Sequence, residues 1–297
     1  MTGRAGKQSR NEAPDAPAAA WGDNGARARV ELIPAKRHAF ILECLKRKGA
    51  VDVQELIGLV GASPSTIRRD LETLERQGAL ERTHGGAMLQ RSDLVTFEPN
   101  QATAAHFARP EKEAIGRAAA ATLRAGQSVI FDSGTTVLEV ARAIAANPMP
   151  LTAVTNSLAI AQVFAGVPDV RLVLPGGTCK PGSVTLVGHP GEDFLRTIHA
   201  DVAILGTHAV TAGRLTETAL DVAAMKQAMI AAARRVVVLA DSSKFTAPSF
   251  CTICTMEAID QIVTDDGIGP EDLADLRALG VEVAVVPVDR RGSVGPQ

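Results

Sequence analysis

Seven short apolar runs between residues 110 and 288 constrain the fold of this chain more than any other feature. They alternate with helix-length stretches and consist of SVIF (128–131), LTAV (151–154), VRLVL (170–174), VAIL (202–205), VVVLA (236–240), QIVT (261–264) and VEVAVV (281–286). Strands that are apolar along their whole length are buried on both faces, and intervening helices let successive strands run in parallel. The pattern therefore predicts an α/β domain with a parallel sheet over residues 110–288.

The rest of the chain divides by composition into four segments. Residues 1–34 are rich in Ala, Gly and polar residues without an apolar period, which predicts a disordered tail. A helical block follows over 35–91, a polar linker covers 92–109, and a second tail covers 289–297. We expect two folded domains, which suits a chain of 297 residues.

Composition argues against several classes of function. The formal net charge of −2 excludes a generally polybasic protein, so nucleic-acid contacts must come from a local patch. Aromatic residues make up 3% of the chain, too few for the stacking platforms that hold single strands. Pro148 and Pro150 interrupt the uncharged run 143–168, so no membrane contact is expected.

The four cysteines form no disulfide framework, and no secretory signal is apparent, which predicts a cytoplasmic protein. Cys251 and Cys254 make a CxxC, but no second pair and no nearby His accompany them. We therefore interpret them as two thiols in a strand or turn rather than as a metal or redox site. No metal and no cofactor is expected.

Two helices open the 35–91 block. The second begins at Asp52, with Glu55 three residues later in a capping-box pattern, and ends at Gly61. The first is predicted from about Lys36 to Lys48, with Gly49 as its C-cap. Its inward side chains are expected to be Phe40, Ile41, Cys44 and Leu45.

A third helix carries the outward-facing chemistry of this block. Ser63 is its predicted N-cap and Pro64 its first residue. Its apolar positions form one narrow stripe of Ile67, Leu71 and Leu74. Outside that stripe, near the helix start, lie Ser65, Thr66, Arg68 and Arg69. Two helices joined by a short turn form a helix-turn-helix, whose second helix enters the major groove, where Arg bridges guanine O6 and N7 or holds phosphate.

Residues 77–86 are predicted to form a β-hairpin, or wing, with Arg82 and His84 available to phosphate or to the minor groove. The simpler explanation is that exposed charges are only solvated, since residues 36–91 hold ten basic against seven acidic side chains. The combination of capped helices, short turn, Arg-bearing helix and Gly-Gly wing favours binding of double-stranded DNA. The predicted DNA-binding residues are Ser65, Thr66, Arg68, Arg69, Arg82 and His84.

The run that starts at Arg37 and includes STIRRDL (65–71) and HGGA (84–87) closely resembles the winged helix-turn-helix of DeoR-family transcriptional regulators. The resemblance implies that Arg68 and Arg69 contact operator DNA. It implies that Asp70 orients an arginine or caps the fold.

In the α/β domain, FDSGTT (131–136) lies between a predicted strand and a predicted helix. Backbone N–H groups at such a turn, with hydroxyls and a helix N-terminus, favour an anion. The alternative is that Ser, Gly and Thr serve only as caps. Neither a Walker motif nor a GxGxxG is present, so nucleotide binding is disfavoured.

Other strand ends add polar residues at the same edge, where ligands of open α/β sheets bind. Together they suggest that a phosphate binds at the 132–136 turn, with a polyol beside it and Lys244 nearby. A ligand that combines these two parts is a sugar phosphate. The candidate effector-binding residues are Asp132, Ser133, Gly134, Thr135, Thr136, Asn156, Gly176, Gly177, Gly206, Glu217, Lys226, Asp241 and Lys244.

Residues 110–288 also resemble the DeoR-type effector domain, which is similar in fold to ribose-5-phosphate isomerase and coenzyme A transferases. The matching motifs are KEAIG (112–116), DSGTT (132–136), VTNS (154–157), Gly176-Gly177, Lys226 and ADSSKF (240–245). The chain departs from the family over 206–222, where Val222 replaces a common acidic residue. The resemblance implies a sugar-phosphate sensor, and the departure puts the sugar end of its pocket in question.

Three functions remain in competition. The first is a transcriptional repressor of a carbohydrate operon, a homodimer or homotetramer that binds operator DNA and a phosphorylated sugar. The second is a sugar-phosphate isomerase that uses Glu217, Asp132 or Asp241 as its acid or base. The third is a DNA-binding protein whose pocket is degenerate and serves only oligomerisation. We favour the first, without catalysis.

Overall fold

The computed structural model describes residues 34–48, 50–83, 85–88, 104, 108–211 and 213–289. The predicted C-cap Gly49 and the predicted wing residue His84 lie outside the described residues. So do residues 1–33, most of the proposed linker and residues 290–297. Among the helices that are described, none is long and apolar enough to cross a membrane.

The N-terminal part of the described chain is a three-helix unit with a small antiparallel sheet. The sheet order is β1-β3-β2, so the predicted hairpin is joined by a third strand that precedes the second helix. The elements in chain order are α1 (Pro34–Lys48), β1 (Ala50–Asp52), α2 (Val53–Val60), α3 (Pro64–Arg76), β2 (Glu81–Thr83) and β3 (Gly86–Met88).

The predicted helix signals of this unit are confirmed in detail. The Asp52 carboxylate accepts a hydrogen bond from the Glu55 N–H at 2.6 Å, and α2 ends at Gly61 in the left-handed conformation, with φ of 71°. Ser63 Oγ accepts from the Thr66 N–H at 3.2 Å at the start of α3. Helix α1 begins at Pro34, slightly before the expected start, because proline suits the first helical turn.

The core of this unit lies between the three helices and the sheet. Its fully buried side chains include Ile41, Leu45, Leu56, Ile67, Leu71 and Leu74. Phe40 and Cys44, which were also expected inward, are only partly buried at its margin. The apolar stripe of α3 is therefore entirely committed to packing, and its other faces are left for solvent or a ligand.

The α/β unit begins at residue 108 and is built on a seven-stranded sheet. Its elements in chain order are α4 (Arg109–Ala121), β4 (Ser128–Phe131), α5 (Thr135–Ala146), β5 (Leu151–Thr155), α6 (Leu158–Phe164), β6 (Val170–Val173), β7 (Thr178–Cys179), β8 (Leu186–Val187), α7 (Gly191–Leu195), β9 (Ala200–Gly206), β10 (Ala209–Thr211), β11 (Arg214–Glu217), α8 (Leu220–Ala231), β12 (Ala233–Leu239), β13 (Cys251–Thr255), β14 (Gln261–Asp265), α9 (Pro270–Ala278) and β15 (Glu282–Val286). Two short 3₁₀ turns, Ser242–Lys244 and Met256–Ala258, complete it.

All seven predicted apolar runs are strands of the large sheet, whose order is β15-β14-β12-β9-β4-β5-β6. Every neighbouring pair is parallel, which confirms the predicted fold class. Two smaller antiparallel sheets were not predicted, β10-β11-β13 and β7-β8.

Successive residues of the strands alternate between two cores. Phe131 packs with α4, α5 and α6 on one face, whereas Ile130 packs with α8 and the β11 and β13 strands on the other. The chain starts at β4, proceeds to β5 and β6, and then returns to β9 on the other side of β4. The carboxyl ends of β4 and β9 are therefore the topological switch point, where a ligand crevice forms in sheets of this kind.

Candidate DNA-binding and effector sites

The exposed face of α3 carries the side chains that were predicted to contact DNA. Ser65, Arg68 and Arg69 are exposed and Thr66 is half-buried. The Ser65 and Thr66 hydroxyls lie 2.9 and 2.8 Å from Ser63 Oγ, which orders the first turn. Neither Arg68 nor Arg69 forms an ion pair with another described residue. The helix thus presents two uncompensated guanidinium groups beside hydroxyl donors.

Asp70 follows these arginines and points the other way, into the unit. Its Oδ2 accepts from Arg37 Nε at 2.7 Å, and its Oδ1 lies 2.9 Å from His38 Nε2. Burial opposes ionisation of Asp70, but the hydrogen bonds and charges of His38 and Arg37 outweigh it and lower the pKa of the carboxyl group. This buried clamp ties α3 to α1, which agrees with the expectation that Asp70 orients an arginine.

Arg82, expected to reach phosphate from the wing, lies against α3. Its Nη1 contacts Glu72 Oε1 at 3.2 Å, and its backbone N–H donates to Glu75 Oε1 at 3.4 Å. Because the Glu72 side chain is largely exposed, the ion pair adds little stability. It does place the wing relative to α3, and a phosphate can compete for it.

At the switch point, α5 begins without a side-chain cap. Gly134 is its N-cap, and no side chain in the described part of the chain caps the first N–H groups. Ser133 and Thr135 are half-buried and Thr136 is buried beside them. A Cβ added to Gly134 would lie 3.5 Å from Gly206 Cα, so the α5 start and the β9 end are adjacent. Uncapped N–H groups and the helix dipole favour an anion here.

Lys226 of α8 draws three of the predicted residues together. Its Nζ forms an ion pair with Asp132 Oδ2, donates to the Gly206 carbonyl at 2.9 Å, and lies 3.6 Å from Glu217 Oε2. The Gly206 N–H also donates to Asp132 Oδ2 at 3.0 Å. Lys226 was predicted as an additional cation for the ligand. It is buried and lies between two carboxylates, and its contact with a ligand stays a prediction.

Asn156, Gly176 and Gly177 form a second group at the ends of β5 and β6. Asn156 Nδ2 donates to the Leu186 carbonyl of β8 at 3.0 Å. Gly177 adopts a φ of 124°, and a Cβ there would lie 2.7 Å from the Val187 carbonyl oxygen, which no other residue tolerates without movement. The neighbouring hydroxyls serve as caps, because Ser157 Oγ accepts from the Ile160 N–H.

Asp241 and Lys244 lie at the 3₁₀ turn after β12, which is the next strand of the sheet beyond β9. Asp241 Oδ1 accepts from the Ser243 N–H at 3.1 Å, and the Ser242 N–H donates to Asp265 Oδ1 at 2.6 Å. Within the described part of the chain, no hydrogen bond or ion pair joins Asp241 or Lys244 to the Lys226 group. Sequence inspection missed Asp265, since the predicted run stopped one residue short of this buried carboxylate.

The CxxC cysteines both lie in β13, as one of the two interpretations expected. Burial raises the pKa of Cys254 to about 11. Burial, and then the charge of Glu217, raises the pKa of Cys251. Both thiols are therefore protonated near neutrality, which disfavours metal or redox chemistry. Searching the described residues finds no cluster of His, Cys, Asp and Glu suited to a metal ion.

Comparison with known proteins gives two family matches that together span both folded units. The DeoR-like helix-turn-helix domain matches residues 37–93, and the DeoR C terminal sensor domain matches residues 108–266. The putative aga operon transcriptional repressor of Escherichia coli O157:H7 is 34% identical over 253 residues, covering 85% of this chain and 94% of that protein. The glycerol-3-phosphate regulon repressor of Escherichia coli K12 is 33% identical over 232 residues, covering 77% and 90%.

Among solved structures, ribose 5 phosphate isomerase A from Neisseria gonorrhoeae matches with a TM-score of 0.32 and 16% sequence identity. The match covers 46% of this chain and 53% of that enzyme. A similarity of this size supports no inference about function.

Proposed function

Since the chain belongs to the DeoR family of transcriptional regulators, we propose that it is a repressor that binds double-stranded DNA and is released by a phosphorylated sugar or a related small metabolite. Helix α3 and the wing supply the DNA contact, and the carboxyl edge of the large sheet supplies the sensor. The observation that carries the sensor half is the uncapped start of α5 at the switch point between β4 and β9.

The DNA half of the proposal rests on the two faces of α3. Its apolar stripe is buried and Asp70 is clamped to α1, so the helix is fixed in rotation. Arg68 and Arg69 then project from a rigid surface, in the geometry that reads a major groove. In a dimer, two such helices about 34 Å apart would match a near-palindromic operator. We propose a homodimer or homotetramer on this ground.

In the sensor half, the phosphate is assigned to the N–H groups of residues 134–136 and to the Ser133 and Thr135 hydroxyls. Lys244, which makes no ion pair with any described residue, is a cation available to the ligand near that edge. The polyol end of the ligand would then face Asp132 and Asn156. Lys226, which also lies near Glu217, acts through Asp132, since it holds that carboxylate in place.

Catalysis is the competing use of this pocket, and we propose that it does not occur. Members of the family are transcriptional regulators. Asp132 and Glu217, the carboxylates best placed for acid–base work, are both engaged by Lys226. A general base must lie open to the proton that it takes from the substrate, whereas both of these carboxylates are held in a buried group with Lys226.

Thermal unfolding with phosphorylated and unphosphorylated sugars and polyols tests the sensor directly. A ligand at a hundred times its Kd adds about 2.7 kcal/mol, or about 5–10 °C for a domain of this size. We expect the shift only with phosphate esters, and we expect Thr135→Ala to reduce it. Thr197→Ala, at an exposed helix end, is the matched control and should leave it unchanged.

The link to DNA follows from the proposed release of the repressor by its effector. A phosphate ester that raises the unfolding temperature should also weaken binding to DNA selected from a random library by the protein itself, and that DNA should weaken ester binding by the same factor. Equal shifts with esters and their parent polyols would contradict the phosphate assignment. No shift with any ester would favour the third hypothesis, a DNA-binding protein with a degenerate pocket.

A further inference from the structure

Four buried oxygen atoms toward the carboxyl edge of the large sheet have no hydrogen-bond partner among the described residues; Asp241 Oδ2 and Thr264 Oγ1 lie at the ends of β12 and β14. The other two follow the adjacent strands β4 and β5. They are Asp132 Oδ1 and Asn156 Oδ1, on side chains that are 1% exposed in each case. The other polar atom of each group is occupied. Asp132 Oδ2 accepts from Lys226 and from the Gly206 N–H, and Asn156 Nδ2 donates to the Leu186 carbonyl. Since that carbonyl can only accept, the Asn156 amide is oriented with its oxygen turned away.

The two oxygens belong to neighbouring positions of the sheet. Phe131 and Thr155 are register partners of the parallel strands β4 and β5, and each is followed directly by one of the two residues. Ile130 and Val154, two residues earlier, pack in the same core against α8. By strand alternation, Asp132 and Asn156 face that side too, on strands about 4.8 Å apart. One ligand can therefore address both acceptors.

The charges around these acceptors have a definite sign. Asp132 and Glu217 carry two negative charges and Lys226 carries one positive charge, all on buried side chains. The group is left with an excess of one negative charge where screening by water is weak. A second anion at this position is therefore repelled, whereas a hydroxyl or ammonium donor is attracted. The anion-favouring position is the start of α5, two residues after Asp132 and beside Gly206.

We infer that the effector turns hydroxyl or ammonium donors, and no carboxylate, toward Asp132 and Asn156. It is a phosphorylated polyol or amino polyol and not a phosphorylated sugar acid. The inference rests on the proposed function, because it assumes that a phosphate ester binds at this edge. It goes beyond that function by fixing the polarity of the end of the ligand that is remote from the phosphate.

Two matched pairs of compounds test the inference by calorimetric titration of the full chain. Glycerol 3-phosphate and 3-phosphoglycerate differ only in a hydroxymethyl group against a carboxylate, and sorbitol 6-phosphate and 6-phosphogluconate differ in the same way. In whichever pair fits the crevice, we expect the hydroxymethyl member to bind at least about tenfold more tightly. Inorganic phosphate is the reference for the helix start alone.

Asp132→Asn assigns the selectivity to its cause. The variant removes the excess negative charge and leaves Glu217 to pair with Lys226. The ratio of the affinities of the two compounds in a matched pair should therefore shrink toward one. A merely structural role would weaken both members equally and leave their ratio unchanged. Asp201→Asn is the matched control, because Asp201 binds Ser128 at the opposite, amino end of β4. It should preserve the wild-type ratio.

Should Asp132→Asn fail to fold, Asn156→Ala takes its place. That variant removes the second acceptor, together with the Nδ2 bond to the Leu186 carbonyl, so the hydroxymethyl member should weaken more than the carboxylate member. The inference is overturned if the carboxylate member binds as tightly as its partner in the wild type, or if the ratio survives both variants. In either case the binding of an ester leaves the proposed sensor intact. If no ester binds at all, the proposed sensor and the inference both fail.

Discussion

Replacing Asp70 by Asn tests whether the buried clamp between α1 and α3 holds the recognition helix. The substitution keeps the shape of the side chain and removes its charge. Arg37 and His38, which face Asp70 with side chains that are 13% and 11% exposed, then lose the carboxylate that they share. Asn retains one acceptor oxygen, so one of the hydrogen bonds survives in weaker form.

The expected magnitude follows from that burial. Removing one partner of a buried ion pair costs about 3–5 kcal/mol, because the remaining charge is desolvated without compensation. The surviving acceptor places Asp70→Asn at the lower end, about 3 kcal/mol. The change in free energy corresponds to a rise of about 150-fold in the opening equilibrium constant, and so to an equal fall in the protection of the amides of this unit.

Hydrogen exchange read by mass spectrometry measures this locally, which is needed because a chain with two folded units has no single free energy of unfolding. Peptides from α1 and α3 should lose protection, and peptides from β9 and β12 should not. Arg37→Met is the companion variant. Combined with Asp70→Asn, it should cost less than the sum of the two single changes by about 1–3 kcal/mol, since the uncompensated charge is gone.

The stability that the Asp70 charge contributes should depend on pH in a definite direction. The pKa of Asp70 is lowered in the folded state from the 3.8 of an unperturbed carboxyl group. Its stabilisation is therefore fully present above that value and is lost as pH falls through the lower folded-state pKa. The difference between wild type and Asp70→Asn should persist at pH 7 and pH 5 and shrink toward pH 3. A difference below threefold, one that decays between pH 7 and 5, or strict additivity with Arg37→Met would refute the clamp.

Three further outcomes follow from single sites. Arg68→Ala should weaken binding to library-selected DNA by about 1–3 kcal/mol. Arg171 is an exposed arginine on β6, and Arg171→Ala should leave that binding unchanged. Equal affinities of wild type and Arg68→Ala in a gel-shift titration would remove Arg68 from the interface. Gly177→Ala forces a Cβ to within 2.7 Å of the Val187 carbonyl, so we expect a lower unfolding temperature and loss of ester binding, checked by thermal unfolding. With a pKa of about 11, Cys254 should resist alkylation by iodoacetamide at pH 8 and react as pH rises toward 11, and rapid labelling at pH 8 would contradict its burial.

The large sheet was predictable because its inner strands are buried on both faces, and that burial appears in the sequence as apolar runs. The smaller sheets were not. Strand β1 has only three residues, and its pairing with β3 is long-range, so no local period announces it. Strands β10 and β11 mix Thr, Arg and Glu with apolar residues and gain their partners only through the fold.

The candidate sites divide in the same way. Strand ends and helix starts were found from the sequence, because turn residues and caps are local signals. The pairing of Lys226 with Asp132 could not be found from the sequence, since the two residues lie 94 positions apart and only the fold brings α8 to the end of β4. The pairing matters chemically, because it makes a residue that was predicted as an additional cation for the ligand the counter-ion of a carboxylate as well. The assignment of site residues remains a prediction until binding is measured.

Both sites use a buried carboxylate in the same physical way. Asp70 is held by Arg37 and His38, and Asp132 is held by Lys226 and the Gly206 N–H. Buried ion pairs add little net stability, because desolvation offsets their attraction. Their hydrogen bonds do fix the orientation of the carboxylate, and in each case the position of a group that faces a ligand depends on that orientation. For α3 the group is the pair of arginines beside Asp70, and for the sheet edge it is Asp132 Oδ1. A protein that must discriminate between ligands needs such rigidity more than it needs the stability, since only a fixed acceptor or donor penalises the wrong partner.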